Sequence, residues 1–372
     1  MISKRVLFLT ATLALAPALG GCVFFGGNNN NTSSGPSGGD TTEQDIAQYE
    51  SLQAQLEQHR QVFTKGASEL AGIGTRLFWL EFPTFDPSVH SYDATTSQQV
   101  DYTFSIGDGD KYNYRASEKL IVTAEPKGDA VILHAYDIGK SNKLVDDLEL
   151  PAPGNGVRWW AYAPDQSDVY YVTTNDGTTL WKWTPGKGQP KSLFNLEDTG
   201  AEIGEFWDFG VDGNTMIFIE SGRIWSLDIA AQKSTWLGNK TEASSAYPDQ
   251  DGVLFGTATG PFFYGYKNKT LIDVAHAIES SGFSLNTTFA SAHLFNEDLA
   301  RRQSLIGYIG KEGFFTYDLN ANKVTPILLN ARDNSVVYRY PVILDDGSMF
   351  VQGLESTSGA TGADGPVFRV TP

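Results

Sequence analysis

Histidines and acidic residues are the side chains of this sequence best able to do chemistry. The histidines show no paired spacing of the kind that holds zinc or copper, so the sequence predicts no preformed transition-metal site. The acidic segments 108–110 and 249–252 lack the further oxygen ligands and closing glutamate of a calcium loop, and turn chemistry explains them. A Gly-x-Ser-x-Gly nucleophile elbow and a phosphate-binding loop are also absent from the sequence, which therefore predicts no catalytic residue and no metal or organic cofactor. The histidines are His59, His90, His134, His276 and His293.

A group of aromatic and basic residues offers the best candidate binding surface. They lie on predicted strands that precede turns, and the first strand of each repeat would line a central channel. Some of the aromatics are expected to pack between sheets, because aromatic side chains dominate such cores. Those that face the channel, together with the basic residues beside them, would anchor a protein, peptide or glycan partner. The candidate binding residues are Arg158, Trp160, Trp207, His293, Arg339 and Tyr340.

Residues 1–21 predict a signal peptide. Two basic residues precede the apolar run Val6–Ala18, which is too short to span a membrane, and the segment ends in Leu19-Gly20-Gly21-Cys22. This ending resembles the bacterial lipobox. The resemblance implies cleavage before Cys22 and a covalent lipid on its sulfur, although an ordinary signal with an incidental cysteine is the alternative. Cys22 is the only cysteine, so no internal disulfide is possible.

Two further segments separate the signal peptide from the main domain. Residues 22–41 are rich in Gly, Asn and Ser and predict a flexible tether, because they offer almost nothing to bury. Residues 42–74 predict one amphipathic helix, with an apolar stripe that packs on its own domain or forms a stalk. The stripe consists of Ile46, Tyr49, Leu52, Leu56 and Phe63.

The overall charge excludes one class of partner. The chain of 372 residues carries a formal net charge of −17. An excess of negative charge repels phosphate backbones, so nucleic-acid binding is not expected. Membrane contact is expected only through the lipid anchor.

Residues 75–372 show an internal repeat with a period typical of β-propeller blades. The clearest unit, Gly156–Leu193, has short apolar strands separated by turn pairs such as Asp176-Gly177. We predict an all-β, six-bladed β-propeller, in which a strand at 100–106 completes the last repeat and closes the ring. Seven blades are the alternative, if Arg76–Phe85 belongs to a blade of its own. The six repeats span residues 111–153, 156–197, 200–239, 241–281, 284–332 and 335–372.

The segment YAPDQSDVYYVTTNDGTTLWKW resembles the repeat of TolB-type propellers, in which a Ser-Pro-Asp-Gly turn precedes an apolar strand and a second Asp-Gly turn precedes an aromatic-rich one. Most of the other repeats lack the Pro-Asp-Gly signature. The resemblance implies a propeller with a central funnel that many members use for protein contacts, and it names no partner.

These features together predict a lipid-anchored propeller at the bacterial cell envelope that acts as a non-catalytic binding or scaffold module. Val23 after the lipidated cysteine favours the outer membrane, facing the periplasm or the surface. An envelope enzyme is the alternative, either a hydrolase or a dehydrogenase that depends on calcium or a quinone.

Overall fold

The computed structural model describes residues 43–81, 88–102, 114–127, 130–139, 143–150, 162–173, 178–204, 206–237, 243–249, 252–257, 260–265, 271–274, 276–277, 299–302, 304–310, 313–331, 336–355 and 365–371. The predicted signal peptide, Cys22 and the tether lie outside these residues. Within them, no helix is both long and apolar enough to cross a membrane.

The helix α1 (Glu43–Glu57) packs on the strands that follow it. Tyr49, Leu52 and Leu56 share one face of the helix and contact an apolar cluster of the sheets. The Tyr49 hydroxyl also donates a hydrogen bond of 3.0 Å to the Asn330 carbonyl oxygen. The helix is therefore part of its own domain and does not project as a stalk.

The prediction of a helix over 42–74 was wrong in its second half. The chain after Glu57 forms the strand β1 (Arg60–Ile73). Val62, Phe63 and Thr64 are β-branched or aromatic and favour an extended backbone, which overrides the helical spacing of the apolar residues. Phe63 therefore lies on a strand and not on the helical stripe.

Strands make up most of the remaining described residues. In chain order after β1 they are β2 (Arg76–Glu81), β3 (Ser88–Asp93), β4 (Gln98–Tyr102), β5 (Tyr114–Ala116), β6 (Leu120–Lys127), β7 (Ala130–Asp137), β8 (Leu144–Leu150), β9 (Tyr162–Asp165), β10 (Asp168–Thr173), β11 (Thr179–Trp183), β12 (Lys191–Asn195), β13 (Phe206–Asp212), β14 (Thr215–Glu220), β15 (Arg223–Asp228), β16 (Lys233–Trp236), β17 (Ala243–Asp249), β18 (Gly252–Thr257), β19 (Gly260–Gly265), β20 (Leu271–Asp273), β21 (Leu299–Arg302), β22 (Leu305–Gly310), β23 (Gly313–Asp318), β24 (Lys323–Leu329), β25 (Val336–Ile343), β26 (Met349–Glu355) and β27 (Gly365–Val370).

Consecutive strands form antiparallel sheets that match the predicted repeats. The groups β5–β8, β9–β12, β13–β16, β17–β20 and β21–β24 are each a four-stranded sheet, and each lies within one predicted repeat. The last predicted repeat contains β25, β26 and β27. Several four-stranded antiparallel sheets in succession are consistent with a β-propeller.

The strand β1 links the two ends of the chain. Its first half, Arg60–Ala67, pairs with β27, and its second half, Ser68–Ile73, pairs with β2. It therefore serves as the fourth strand beside β25–β27 and as the first strand of the group β1–β4, giving one seven-stranded sheet.

The predicted closing strand at 100–106 was wrong. The strand β4 covers residues 100–102 of that segment, and among the described residues it pairs with β3 only, with His90 opposite Asp101. Residues 103–106 lie outside the described residues. The position beside β27 is already occupied by β1. Phe63 of β1 packs against the apolar cluster between β25–β27 and β1–β4. Arg76–Glu81, the described part of Arg76–Phe85, forms β2 of the seven-stranded sheet.

Apolar side chains fill the spaces between sheets that follow each other in the chain. Each cluster of buried residues takes members from two successive groups of strands, and the last cluster joins β25–β27 back to β1–β4. The groups, with one residue from each side, are β1–β4 with β5–β8 (Phe78 and Ile121), β5–β8 with β9–β12 (Leu133 and Val169), β9–β12 with β13–β16 (Leu180 and Phe209), β13–β16 with β17–β20 (Ile217 and Phe255), β17–β20 with β21–β24 (Phe263 and Tyr308), β21–β24 with β25–β27 (Phe314 and Val351), and β25–β27 with β1–β4 (Phe350 and Trp79).

Candidate functional site

The structure describes only part of the binding surface predicted from the sequence. Arg158, Trp160 and His293 lie outside the described residues, and for Trp207 only the backbone, in β13, is described. Arg339 and Tyr340 are neighbours on β25, next to an irregularity in its pairing with β26. Tyr340 packs against the apolar cluster that joins β25–β27 to β1–β4. The described residues therefore do not test whether the six predicted residues form one surface.

A polar cluster that the sequence analysis did not identify surrounds His90 on β3. The Nδ1 atom of His90 lies 2.8 Å from Asp101 Oδ1 on β4, and its Nε2 atom lies 2.8 Å from the Ser88 hydroxyl oxygen. The imidazole is thus hydrogen-bonded through both nitrogens, once to a carboxylate and once to a hydroxyl group. The His90 side chain is 13% exposed, whereas that of Asp101 is 59% exposed.

Two residues of β2 fix the orientation of the His90 ring. The Trp79 indole stacks on the imidazole with ring centroids 5.3 Å apart, and Trp79 itself is buried. The indole N–H of Trp79 donates to Glu81 Oε1 at 3.0 Å, which holds the other carboxylate oxygen of Glu81 3.7 Å from His90 Nε2. Thr64 on β1 also donates to Glu81, so the cluster extends to the strand that links the chain ends.

The ionised form of Asp101 is favoured by its neighbours. A hydrogen bond from the Gln99 side chain, followed by one from His90, holds the pKa of Asp101 below its ordinary value. A carboxylate that stays ionised accepts a hydrogen bond from the Nδ1–H group of the ring and leaves the lone pair of Nε2 directed at Ser88.

A second cluster occupies the equivalent place on the next sheet. His134 on β7 lies 2.6 Å from Asp147 through Nδ1 and 2.9 Å from Glu125 through Nε2. Its side chain is 18% exposed, and both carboxylates are about half exposed. His134 therefore has one hydrogen-bond partner at each ring nitrogen, as His90 has.

The strand register shows that the two clusters are equivalent. Each histidine lies on the third strand of its group, directly opposite an aspartate on the fourth strand. In each case the glutamate comes from the second strand, two residues beyond the residue opposite the histidine. The clusters differ at two positions on their second and third strands. Trp79 stands opposite His90 where Thr123 stands opposite His134, and Ser88 stands opposite Glu81 where Ile132 stands opposite Glu125.

Each of these clusters presents two carboxylates beside one imidazole. The carboxylates engage opposite nitrogens of each ring and do not converge on one point. Among the described residues, no group of three or more His, Cys, Asp or Glu side chains is placed to hold a metal ion.

Comparisons with known proteins identify no family. No family model matches the chain, and no curated protein matches it. Among solved structures, the chain is similar to AztD from Citrobacter koseri, with 10% identity, a TM-score of 0.43, and 72% of this chain and 87% of that chain covered. It is similar to a chain of the mitotic checkpoint complex, with 8% identity, a TM-score of 0.48, and 82% and 87% covered. A prolyl endopeptidase matches with 12% identity, a TM-score of 0.47, and 87% and 52% covered. Likenesses at this level carry no functional argument.

Proposed function

We propose that this protein is a lipid-anchored, seven-bladed β-propeller of the bacterial cell envelope that binds a basic segment of a partner protein. The seven blades are the groups β1–β4, β5–β8, β9–β12, β13–β16, β17–β20, β21–β24 and β25–β27, with β1 completing the last. The cycle of apolar clusters supports this count, because each group packs on the next and the last packs on the first. The TolB-type repeat remains part of the proposal.

The anchor is the covalent lipid on Cys22, probed by replacing that residue. Cys22→Ser should abolish acylation. Because stable membrane binding needs more than one acyl chain and this variant would carry none, almost all of the protein should leave the detergent phase. The measurement is phase partition of envelope fractions, together with mass spectrometry of the mature N-terminus. Retention of Cys22→Ser in the detergent phase, or an N-terminus that starts elsewhere, would contradict the anchor. The outer membrane, facing the periplasm or the surface, is the proposed location.

The paired histidine clusters are the observation that carries the binding role. Glu81 and Asp101, and then Glu125 and Asp147, place two carboxylates beside each of two equivalent histidines on neighbouring blades. A rigid ring holds both clusters in fixed positions, and the net charge of −17 favours a cationic partner. Lysine and arginine side chains match this arrangement, whereas nucleic acid does not.

Binding of an octalysine peptide tests this role against general attraction by the negative charge. Replacing Glu125→Gln with Asp147→Asn should weaken the affinity about fivefold, or ~1 kcal/mol, at low ionic strength. The matched control is Glu197→Gln with Asp198→Asn, which removes the same charge from two exposed residues of the short 3₁₀ helix Leu196–Thr199 and should change the affinity less than twofold. Fluorescence anisotropy gives both values. Equal losses in the two double variants would refute the cluster as a binding site.

A further inference from the structure

One difference between the two equivalent clusters concerns a nucleophile. Ser88 begins β3 and places its hydroxyl oxygen 2.8 Å from His90 Nε2. The equivalent residue on the next sheet is Ile132, and the Nε2 atom of His134 contacts the Glu125 carboxylate instead. A hydroxyl group hydrogen-bonded to the histidine Nε2 atom is therefore a feature of the first cluster.

The order of contacts is hydroxyl, imidazole, carboxylate. Asp101 accepts a hydrogen bond of 2.8 Å from the Nδ1–H group of His90, so the Nε2 lone pair can accept a hydrogen bond from the Ser88 hydroxyl group. The same order of groups activates serine in unrelated enzymes, where it is recognised by geometry and not by sequence position. Stacking on the buried Trp79 ring holds the imidazole in the required plane.

We propose that Ser88 is an acylatable nucleophile, with His90 as its general base and Asp101 as the residue that positions His90. The Ser88 oxygen forms a bond to the carbonyl carbon of an ester while its proton passes to His90 Nε2. The ester C–O bond then breaks, and the leaving alkoxide takes that proton from His90 as an alcohol. Water hydrolyses the acyl-Ser88 by the same route, so no oxidant, reductant or metal is needed.

The surroundings of Ser88 indicate the class of acyl donor. Glu81 stands directly opposite Ser88 on the neighbouring strand, and its Oε2 atom lies 3.7 Å from His90 Nε2. The imidazolium that forms during attack would lie between Glu81 and Asp101, which stabilise its positive charge. The same carboxylates repel anionic substrates. Neutral or cationic esters are therefore the expected donors.

Labelling with an uncharged fluorophosphonate probe tests this inference on the full soluble chain in a Cys22→Ser background. The probe forms an oxygen–phosphorus bond with an activated serine and releases fluoride, with the serine proton passing to the base. We expect an adduct on the peptide that contains Ser88, located by tandem mass spectrometry. Ser88→Ala should remove this adduct, and His90→Gln should slow labelling at Ser88 by about a hundredfold or more.

Two controls separate activation from mere accessibility. His59→Gln removes an exposed histidine that lies outside both clusters and should leave the rate of labelling unchanged. Asp101→Asn should slow labelling and change its dependence on pH, which a merely structural role for Asp101 would not do once circular dichroism shows a folded protein. Absence of an adduct at Ser88, or equal labelling of Ser88 in the folded His90→Gln variant, would overturn the proposal. Octalysine binding does not depend on the Ser88 hydroxyl, so failure here leaves the binding role standing.

Discussion

Replacing Phe63 with alanine is expected to lower the free energy of unfolding by about 2–4 kcal/mol. The Phe63 ring makes edge contacts with Trp79, Tyr92 and Phe350, at centroid distances of 5.4, 4.8 and 5.2 Å. Trp79 and Tyr92 belong to the group β1–β4 and Phe350 belongs to the group β25–β27, so the partners lie on both sides of β1. Loss of the ring would leave a cavity at the place where the two sheets meet.

The neighbouring residue provides a matched control for this prediction. Val62 lies on the same strand with 59% of its surface exposed, so Val62→Ala removes apolar atoms that the fold scarcely buries. Its effect should be within about 0.5 kcal/mol of zero. Denaturant unfolding of both variants, followed by tryptophan fluorescence, gives the comparison. Similar midpoints for Phe63→Ala and the unaltered protein would show that β1 does not hold these sheets together.

The repeat pattern could be predicted from the sequence because it depends on local chemistry. Turn pairs such as Asp212-Gly213 and Asp346-Gly347 connect short apolar strands, and Gly213 and Gly347 adopt the positive φ that these turns require. Each of the six predicted repeats contains three or four strands of the structure, and β1–β4 precede the first repeat. Such signals act within a few residues, so they survive without knowledge of the tertiary fold.

The path of β1 could not be predicted because its two halves pair with strands far apart in the chain. Phe63 continues the helical spacing of Leu52 and Leu56, and only its contacts with Trp79 and Phe350 show that it belongs to a strand. Tertiary packing here overrides a local periodicity. A blade that contains Arg76–Glu81 was only the alternative prediction for the same reason, since the first strand of the group β1–β4 was assigned to the helix.

The histidine clusters were missed because the histidines were compared by spacing along one segment. The useful signal is the repeat itself, in which His90-Ser91-Tyr92-Asp93 and His134-Ala135-Tyr136-Asp137 occupy the same place on successive sheets. An alignment of the first two sheets would have placed Glu81 with Glu125 and Asp101 with Asp147. The alternation of side chains along strands then puts each set on one face.

The second large effect is expected from a covalent test of ring closure. Gln61 and Arg369 are directly opposite each other in the pairing of β1 with β27. Residues opposite each other in an antiparallel pair have Cα atoms about 4.5–5.5 Å apart, within the range that a disulfide spans. Gln61→Cys with Arg369→Cys, in a Cys22→Ser background, should therefore form a disulfide in the folded protein and join the two ends of the domain.

The control pair tests the closing strand that the sequence suggested. Asp101 lies on β4, which pairs only with β3, so Asp101→Cys with Arg369→Cys should stay reduced under the same oxidising conditions. A single-cysteine variant of each position shows the extent of crosslinking between molecules.

Non-reducing electrophoresis of these variants, with mass spectrometry of the linked peptides, is the most direct test of the closed propeller. We predict near-complete linkage of residue 61 to residue 369 and no linkage of residue 101 to residue 369. Linkage of the control pair, or a reduced Gln61→Cys/Arg369→Cys protein that is folded by circular dichroism, would contradict closure by β1 and with it the seven-bladed ring.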